Sequence, residues 1–141
     1  MSHTRIRKGN TRDGHHFAEF DFDTCRAVRA GNLVFLQGQT GITLDGKDFV
    51  GEGDPAAQAE NAMRCVKTFL EEAGSRMEDI CKITTYVTEH SYRSLVYPVI
   101  ARHLKGVHVV STGTVVKALA TPEIDFEIDV FAVVPEERAA P

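Results

Sequence analysis

The sequence predicts an α+β fold: a mixed β-sheet with two helices packed on one of its faces. Three observations give this class. The side-chain period is two in the first and last thirds of the chain, it switches to helical spacing over residues 54–73 and 91–104, and a strand pattern at 82–87 separates those two helical segments. The order is therefore strands, helix, strand, helix, strands, with no internal repeat, linker or low-complexity stretch.

After a polar N-terminal stretch, Arg26-Ala27-Val28-Arg29-Ala30 and Leu33-Val34-Phe35-Leu36 flank Gly31-Asn32. A glycine at the first central position opens a type II′ turn, so this segment is expected to be a β-hairpin. Asp45-Gly46, between Ile42-Thr43-Leu44 and Lys47-Asp48-Phe49-Val50, marks a second tight turn, which makes the first third a β-meander. Asp54-Pro55 supplies an N-cap and a first-turn proline. Ala59, Ala62, Met63, Val66, Phe69, Leu70 and Ala73 then recur at helical spacing until Gly74 ends the run. Ser75 and Glu78 have the spacing of a capping box. Ile83, Thr85 and Val87 alternate with Lys82, Thr84 and Tyr86 as a strand. A second helix is expected from about Ser91 to Leu104, with Tyr92, Leu95, Val96, Val99 and Ile100 as its apolar face and Pro98 either kinking it or marking a late start. Two strands, near 110–119 and 124–133, complete the chain.

With 141 residues, 43% hydrophobic and 26% charged, one domain over 1–141 is expected, burying roughly two-thirds of the unfolded chain's surface. No run approaches the roughly 20 apolar residues that cross a bilayer. Met1-Ser2-His3-Thr4-Arg5 has no apolar segment behind it of the secretory kind. A cytoplasmic protein with no membrane partner is the expectation. The formal charge of −4, with cations scattered along the chain, argues against an extended nucleic-acid footprint. Cys25, Cys65 and Cys81 form no C-x-x-C pair and read as free thiols, Cys65 and Cys81 as structural ones. His3, His15 and His16 belong to the polar N-terminal stretch, and His90, His103 and His108 lack a shared-ligand spacing. Neither metal nor cofactor is expected.

Residues 122–134 alternate Ile124, Phe126, Ile128 and Val130 with Glu123, Asp125, Glu127 and Asp129. If the helices cover the apolar parity, the acids fall on the helix-free face. A solvated face is the plain reading of such alternation, and four acids along one strand do not converge as a Ca²⁺ loop does. Both parities of residues 33–36 are apolar, however, and copies of the same chain commonly close an open sheet face of such mixed character. The acids would then edge a cleft between subunits.

Four blocks carry a resemblance: Ala30-Gly31-Asn32-Leu33-Val34-Phe35-Leu36-Gln37-Gly38-Gln39; Gln58 and Ala62 with Phe69-Leu70-Glu71-Glu72-Ala73-Gly74; Lys82-Ile83-Thr84-Thr85-Tyr86-Val87-Thr88; and Glu127-Ile128-Asp129-Val130. Over roughly residues 24–133 the chain resembles the Rid family, the YjgF-like reactive-intermediate deaminases once called L-PSP endoribonucleases. The resemblance implies a chorismate-mutase-like fold, a homotrimer, and small-molecule clefts between subunits. It implies that Glu127 positions the water that attacks an imine carbon, a role suited to a carboxylate beside a cation. It also implies that Thr24, Cys25, Gln37, Gly38, Gln39, Ser111 and Thr112 bind the substrate.

The chain departs from the family's pattern where active members carry P-A-R-[ST], whose arginine grips the substrate carboxylate. Here Val109-Val110-Ser111-Thr112-Gly113-Thr114 stands in that place. An ungapped count from Leu119 puts Ser111 at the arginine position, and matching the Ser-Thr pair puts Val110 there. Arg26 and Arg93 are candidates for a relocated cation. The family's tyrosine and serine ahead of the hairpin fall at Thr24 and Cys25, and its helix asparagine at Val96. Two functional readings stay open. One is a hydrolase or deaminase of an imine, enamine or related intermediate, distinct from the standard 2-aminoacrylate reaction. The other is a non-catalytic trimer that binds a metabolite or partner. Endoribonuclease activity fits the acidic charge less well.

Overall fold

Alternation in Ile80–Val87 and Phe126–Val133 builds the two longest strands, and they lie side by side at the heart of the sheet. The computed structural model describes residues 3–14 and 16–139; Met1, Ser2 and His15, read above from sequence, lie outside them. Within this range the chain forms β1 (Thr4–Ile6), β2 (Gly9–Asn10), β3 (Asp23–Thr24), β4 (Ala27–Ala30), β5 (Leu33–Leu36), α1 (Pro55–Glu72), β6 (Ile80–Val87), α2 (Arg93–His103), β7 (Val110–Val115), β8 (Phe126–Val133) and one turn of α3 (Glu136–Ala139). Six strands make one sheet in the order β1-β4-β5-β8-β6-β7, and β2 pairs with β3 apart from it. Every pairing in the large sheet is antiparallel except β6 with β7. That pair is parallel because α2 crosses over between its strands.

The hairpin and α1 follow the sequence closely. Ala30 pairs with Leu33 across Gly31, whose φ of 62° is the positive value required at the first turn position. Asp54 accepts from the Ala57 N–H, and α1 stops where Gly74 turns left-handed and the Ser75 N–H reaches the Leu70 carbonyl. Ala59, Ala62, Met63, Val66 and Leu70 of α1, with Val96, Val99 and Ile100 of α2, bury Phe126, Ile128 and Val130 of β8. Both helices thus cover one sheet face, as predicted.

Elsewhere the structure corrects the reading. Residues 42–50 hold a single bridge, Ile42 with Phe49, in place of a hairpin. The Asp45 and Thr43 side chains accept from the Lys47 and Asp48 N–H groups, and this local bonding displaces a ladder. The polar N-terminus contributes β1 as the edge strand on β4. The capping acid after α1 is Asp79, one residue past Glu78, and it accepts from both Ser75 Oγ and the Arg76 N–H. A 3-10 turn at His90–Tyr92 precedes α2, which then continues through Pro98. Pro98 lies on the exposed side of the helix, away from the packed face formed by Val96, Val99 and Ile100. Leu95 is exposed and leaves the apolar face. The last two strands are shorter than expected, spanning 110–115 and 126–133. Cys65 is buried in α1, whereas Cys81 is exposed where the β6–β8 register shifts between Ile80 and Lys82.

One buried polar side chain joins these layers. Gln58, fully enclosed in α1, donates to the carbonyls of Gly51 and Glu123 and accepts from the N–H groups of Asp125 and Phe126. It fixes the entry of β8. Gln58→Leu keeps the volume but strands those backbone groups, and is expected to lower stability by about 2–3 kcal/mol, measured as a shift in the urea midpoint.

The uncovered face is divided. Leu33, Phe35, Phe131 and Val133 are exposed on it, with the Phe35 and Phe131 rings edge to face at 5.7 Å. Further along β8, on the same parity, come Asp129 and Glu127.

Candidate functional site

Past Leu36 the chain stays beside β8, and Gln39 exchanges both backbone hydrogen bonds with Ile128 at 2.9 Å. From Phe35 to Gln39 is one step longer than from Phe131 to Ile128, so a bulge falls at Gln37-Gly38. The bulge presses the Gly38 backbone against the acidic parity of β8. A Cβ at Gly38 would overlap Glu127 Oε2 and stand 2.8 Å from Glu127 Cδ and 3.1 Å from Asp129 Oδ1.

This juxtaposition forms the inner wall of a cleft of about 400 Å³, whose lining includes Thr24, Cys25, Arg26, Gln37, Gly38, Gln39 and Glu127. A second, more open hollow continues from it over Val28 and Phe35 and shares Thr24, Cys25 and Gln37 with it. Much of the cleft's polar surface is already committed to backbone. Thr24 Oγ1 and Cys25 Sγ point to the carbonyls of Cys25 and Ala27, and Gln39 Nε2 donates to the Gln37 carbonyl. Gln37 Oε1 accepts from Arg26 Nη1 at 2.8 Å.

The four acids of the terminal strand differ in their partners. Glu123 meets His16 Nδ1 at 3.4 Å, Asp125 accepts from Thr88 Oγ1 at 3.0 Å, and Asp129 accepts from the Tyr86 hydroxyl at 2.8 Å. Among the described residues no hydrogen-bond donor reaches the Glu127 carboxyl. Burial, and then the neighbouring Asp129 charge, push its pKa above the usual carboxylate value. Tyr86 sits opposite Glu127 in the β6–β8 register, and its hydrogen bond to Asp129, with burial, raises its own pKa. A partly enclosed carboxyl with no internal donor is suited to hold a water molecule and exchange a proton with it.

Six of the residues expected at the site therefore converge: Thr24, Cys25, Gln37, Gly38, Gln39 and Glu127. Ser111 and Thr112 do not join them within the chain. Both are exposed on β7, two strands from β8 and so about 10 Å away across the sheet. Thr112 accepts from Lys82 Nζ at 2.7 Å. Of the two candidate cations, Arg26 lines the cleft, while Arg93 lies over the Tyr97 ring against Gly113. Tyr86 escaped the site reading, although its parity in the 82–87 alternation already placed it on the acidic face. Among the described residues no three His, Cys, Asp or Glu side chains converge as a metal site, and no helix is long and apolar enough to cross a membrane.

Comparison with known proteins gives the same fold. A solved member of the YjgF/YER057c/UK114 family from Mycobacterium tuberculosis, 30% identical, superposes with a TM-score of 0.76 over 94% of this chain and 100% of that one. A RutC family protein of Pyrococcus abyssi is 33% identical over 64 residues, 45% of this chain and 50% of the relative. A 2-iminobutanoate/2-iminopropanoate deaminase of Dermatophagoides farinae is 31% identical over 62 residues, 44% of this chain and 48% of that protein. The chain thus spans about half the length of these two relatives. The Endoribonuclease L-PSP family matches residues 22–134. The mixed sheet with both helices on one face is the chorismate-mutase-like α+β fold, and the chain belongs to this Endoribonuclease L-PSP family, the YjgF/Rid proteins.

Proposed function

We propose that the protein hydrolyses a small imine or enamine-derived iminium, with Glu127 as the general base. The observation that carries this reading is the Glu127 carboxyl itself, partly buried, with a raised pKa and no donor from the described residues. Its ionised form takes a proton from water as the oxygen bonds to the imine carbon. The acid so formed returns that proton to nitrogen, and as the C–N bond breaks the departing ammonia carries off the hydroxyl proton, giving a carbonyl compound and ammonium. A carboxyl whose pKa lies above the ordinary range serves both steps near neutral pH better than a solvated one. The Dermatophagoides relative, named as an iminobutanoate deaminase, supports the same chemistry. A polyanionic substrate such as RNA would meet Asp129 and Glu127 on the cleft wall and a net charge of −4.

The direct test is to generate imines enzymatically in the presence of the purified protein and follow carbonyl product and ammonia. Acceleration over buffer supports the enzyme; binding without turnover across the panel would instead favour a non-catalytic binding protein. The acid limb of kcat/KM is expected to lie above the ordinary carboxylate pKa of about 4.3, with activity rising as pH increases and Glu127 ionises.

The exposed Leu33, Phe35, Phe131 and Val133 support assembly into a trimer, with the clefts between copies. In such an assembly β7 of one copy, with Ser111 and Thr112, can complete the cleft of another. Light scattering is expected to give three times the chain mass at micromolar concentration, and a monomer would remove this part of the proposal.

A further inference from the structure

Residues 11–14 and 16–22 form a loop closed at its base by the pairing of β2 with β3. It is bonded to itself: Thr11 donates to the carbonyls of Phe20 and Phe22, its Oγ1 accepts from the Phe22 N–H, and Arg12 meets Asp21 at 3.1 Å. A loop closed in this way keeps its shape without regular secondary structure. It stands almost wholly ahead of residues 22–134, which match the family, yet Thr11, Gly14, His16 and Phe17 line the Glu127 cleft. The cleft thus combines family-matched residues with side chains from outside the match.

One side chain ties this loop to the rest of the protein. His16 Nε2 lies 3.3 Å from the Asp48 carbonyl oxygen, and Nδ1 lies 3.4 Å from Glu123 Oε1. Among the described residues, every hydrogen bond and ion pair from the loop to positions beyond 9–24 passes through His16. The same ring gathers apolar groups. Phe17 stands beside it with centroids 6.4 Å apart, and Phe49 meets it edge-on at 6.1 Å. Ile42 pairs with Phe49, and Ile124 follows Glu123 in the chain. Phe17, Ile42 and Ile124 all line the cleft. The Ile42 side is held firmly, because Asn61 Nδ2 donates to the Thr40 and Ile42 carbonyls at 2.9 Å each.

This apolar end is within reach of the base. Gln39 pairs with Ile128, the neighbour of Glu127, and Ile42 follows Gln39 by three residues, so those two residues are at most about 11 Å apart. The cleft volume of about 400 Å³ falls in the range of roughly 300–1,000 Å³ that accommodates drug-sized ligands, more than an imine of a few carbons fills. We propose that the N-terminal loop adds an apolar subsite to the Glu127 cleft, walled by Phe17, Ile42 and Ile124 around His16, which takes an aromatic substituent of the imine. The rings of Phe17 and His16 offer such a substituent edge and face contacts. This deepens the proposed imine hydrolysis and rests on it for the reaction, though not for binding.

The test measures binding first, by NMR titration with two neutral ketones as probes, 2-butanone and 4-phenyl-2-butanone, following the Gly38 amide signal. The unaltered protein is expected to bind the phenyl ketone at least roughly tenfold more tightly, with both probes shifting that signal. Phe17→Ala is expected to bring the two affinities together and Phe17→Leu to keep part of the preference. His16→Ala, which releases the loop, is expected to lose most of it. Phe20→Ala removes an exposed phenylalanine from the same loop, outside the cleft lining, and should leave the preference intact. Circular dichroism and melting establish that each variant is folded, and if His16→Ala does not fold, the two Phe17 variants decide alone. A preference that survives in folded Phe17→Ala overturns the subsite. So does its absence from the unaltered protein, an equal loss in Phe20→Ala, or a phenyl ketone that binds without shifting Gly38. Phe17-dependent binding with no turnover of any imine upholds the subsite and sinks the proposed reaction, whereas hydrolysis of small imines without the preference sinks the subsite alone.

Discussion

Gly38→Ala is expected to reduce imine turnover by roughly 10²–10⁴-fold, close to the contribution of a positioned general base. The reason is steric. Gly38 does not occupy the left-handed region, so alanine meets no backbone strain there. Its new Cβ would overlap Glu127 Oε2 and crowd Asp129 Oδ1. The carboxyl must then rotate away from the bulge, and the water it holds moves with it. Overpacking of this kind is expected to lower stability by about 1–3 kcal/mol, partly offset by the reduced freedom of the unfolded chain. Gly9→Ala is the matched control: it lies on the same cleft, has no positive φ, and an added Cβ meets nothing within 4 Å. Full turnover in a folded Gly38→Ala protein would show that the carboxyl works without its seat against the Gln37-Gly38 bulge.

That seat shows where sequence reading succeeds and where it stops. Asp54-Pro55 and Gly74 delimit α1 by local chemistry, and Gly31 fixes the hairpin for the same reason. The alternation at 124–133 separates the face packed on the helices from the acidic one, because strand period depends only on neighbours in sequence. Non-local facts escape such reading. β1 is too short to show a period, and its pairing with β4 is a tertiary choice. The bulge at Gln37-Gly38 exists only relative to the register of β8. The terminal strand shows four acids on one parity, but His16, Thr88 and Tyr86 come from three distant segments to satisfy Glu123, Asp125 and Asp129. Only once they are in place does Glu127 stand apart. Arg26 was visible as a candidate cation, but its hydrogen bond to Gln37 was not.

Glu127→Gln isolates what that difference does. The amide keeps the shape of the carboxyl beside Gly38 but cannot take a proton from water, so turnover is expected to fall by roughly 10²–10⁴-fold. The effect on stability has the opposite sign. The folded-state pKa of Glu127 is raised, first by burial and then by Asp129, so between the unfolded and folded values the native state binds more protons. Stability of the unaltered protein therefore declines as pH rises through that window. Gln carries no such dependence, and Glu127→Gln should melt higher than the unaltered protein at pH 8, with the advantage shrinking as pH falls toward 4. Asp129→Asn removes the like charge beside Glu127 and should move the acid limb of kcat/KM downward, with a smaller loss of turnover. Asp125→Asn, whose carboxylate is held by Thr88, should leave that limb in place. Equal losses in all three variants would assign the effect to the summed charge of the strand. A Glu127→Gln protein that turns over normally and melts no higher at pH 8 would return this residue to an ordinary solvated face.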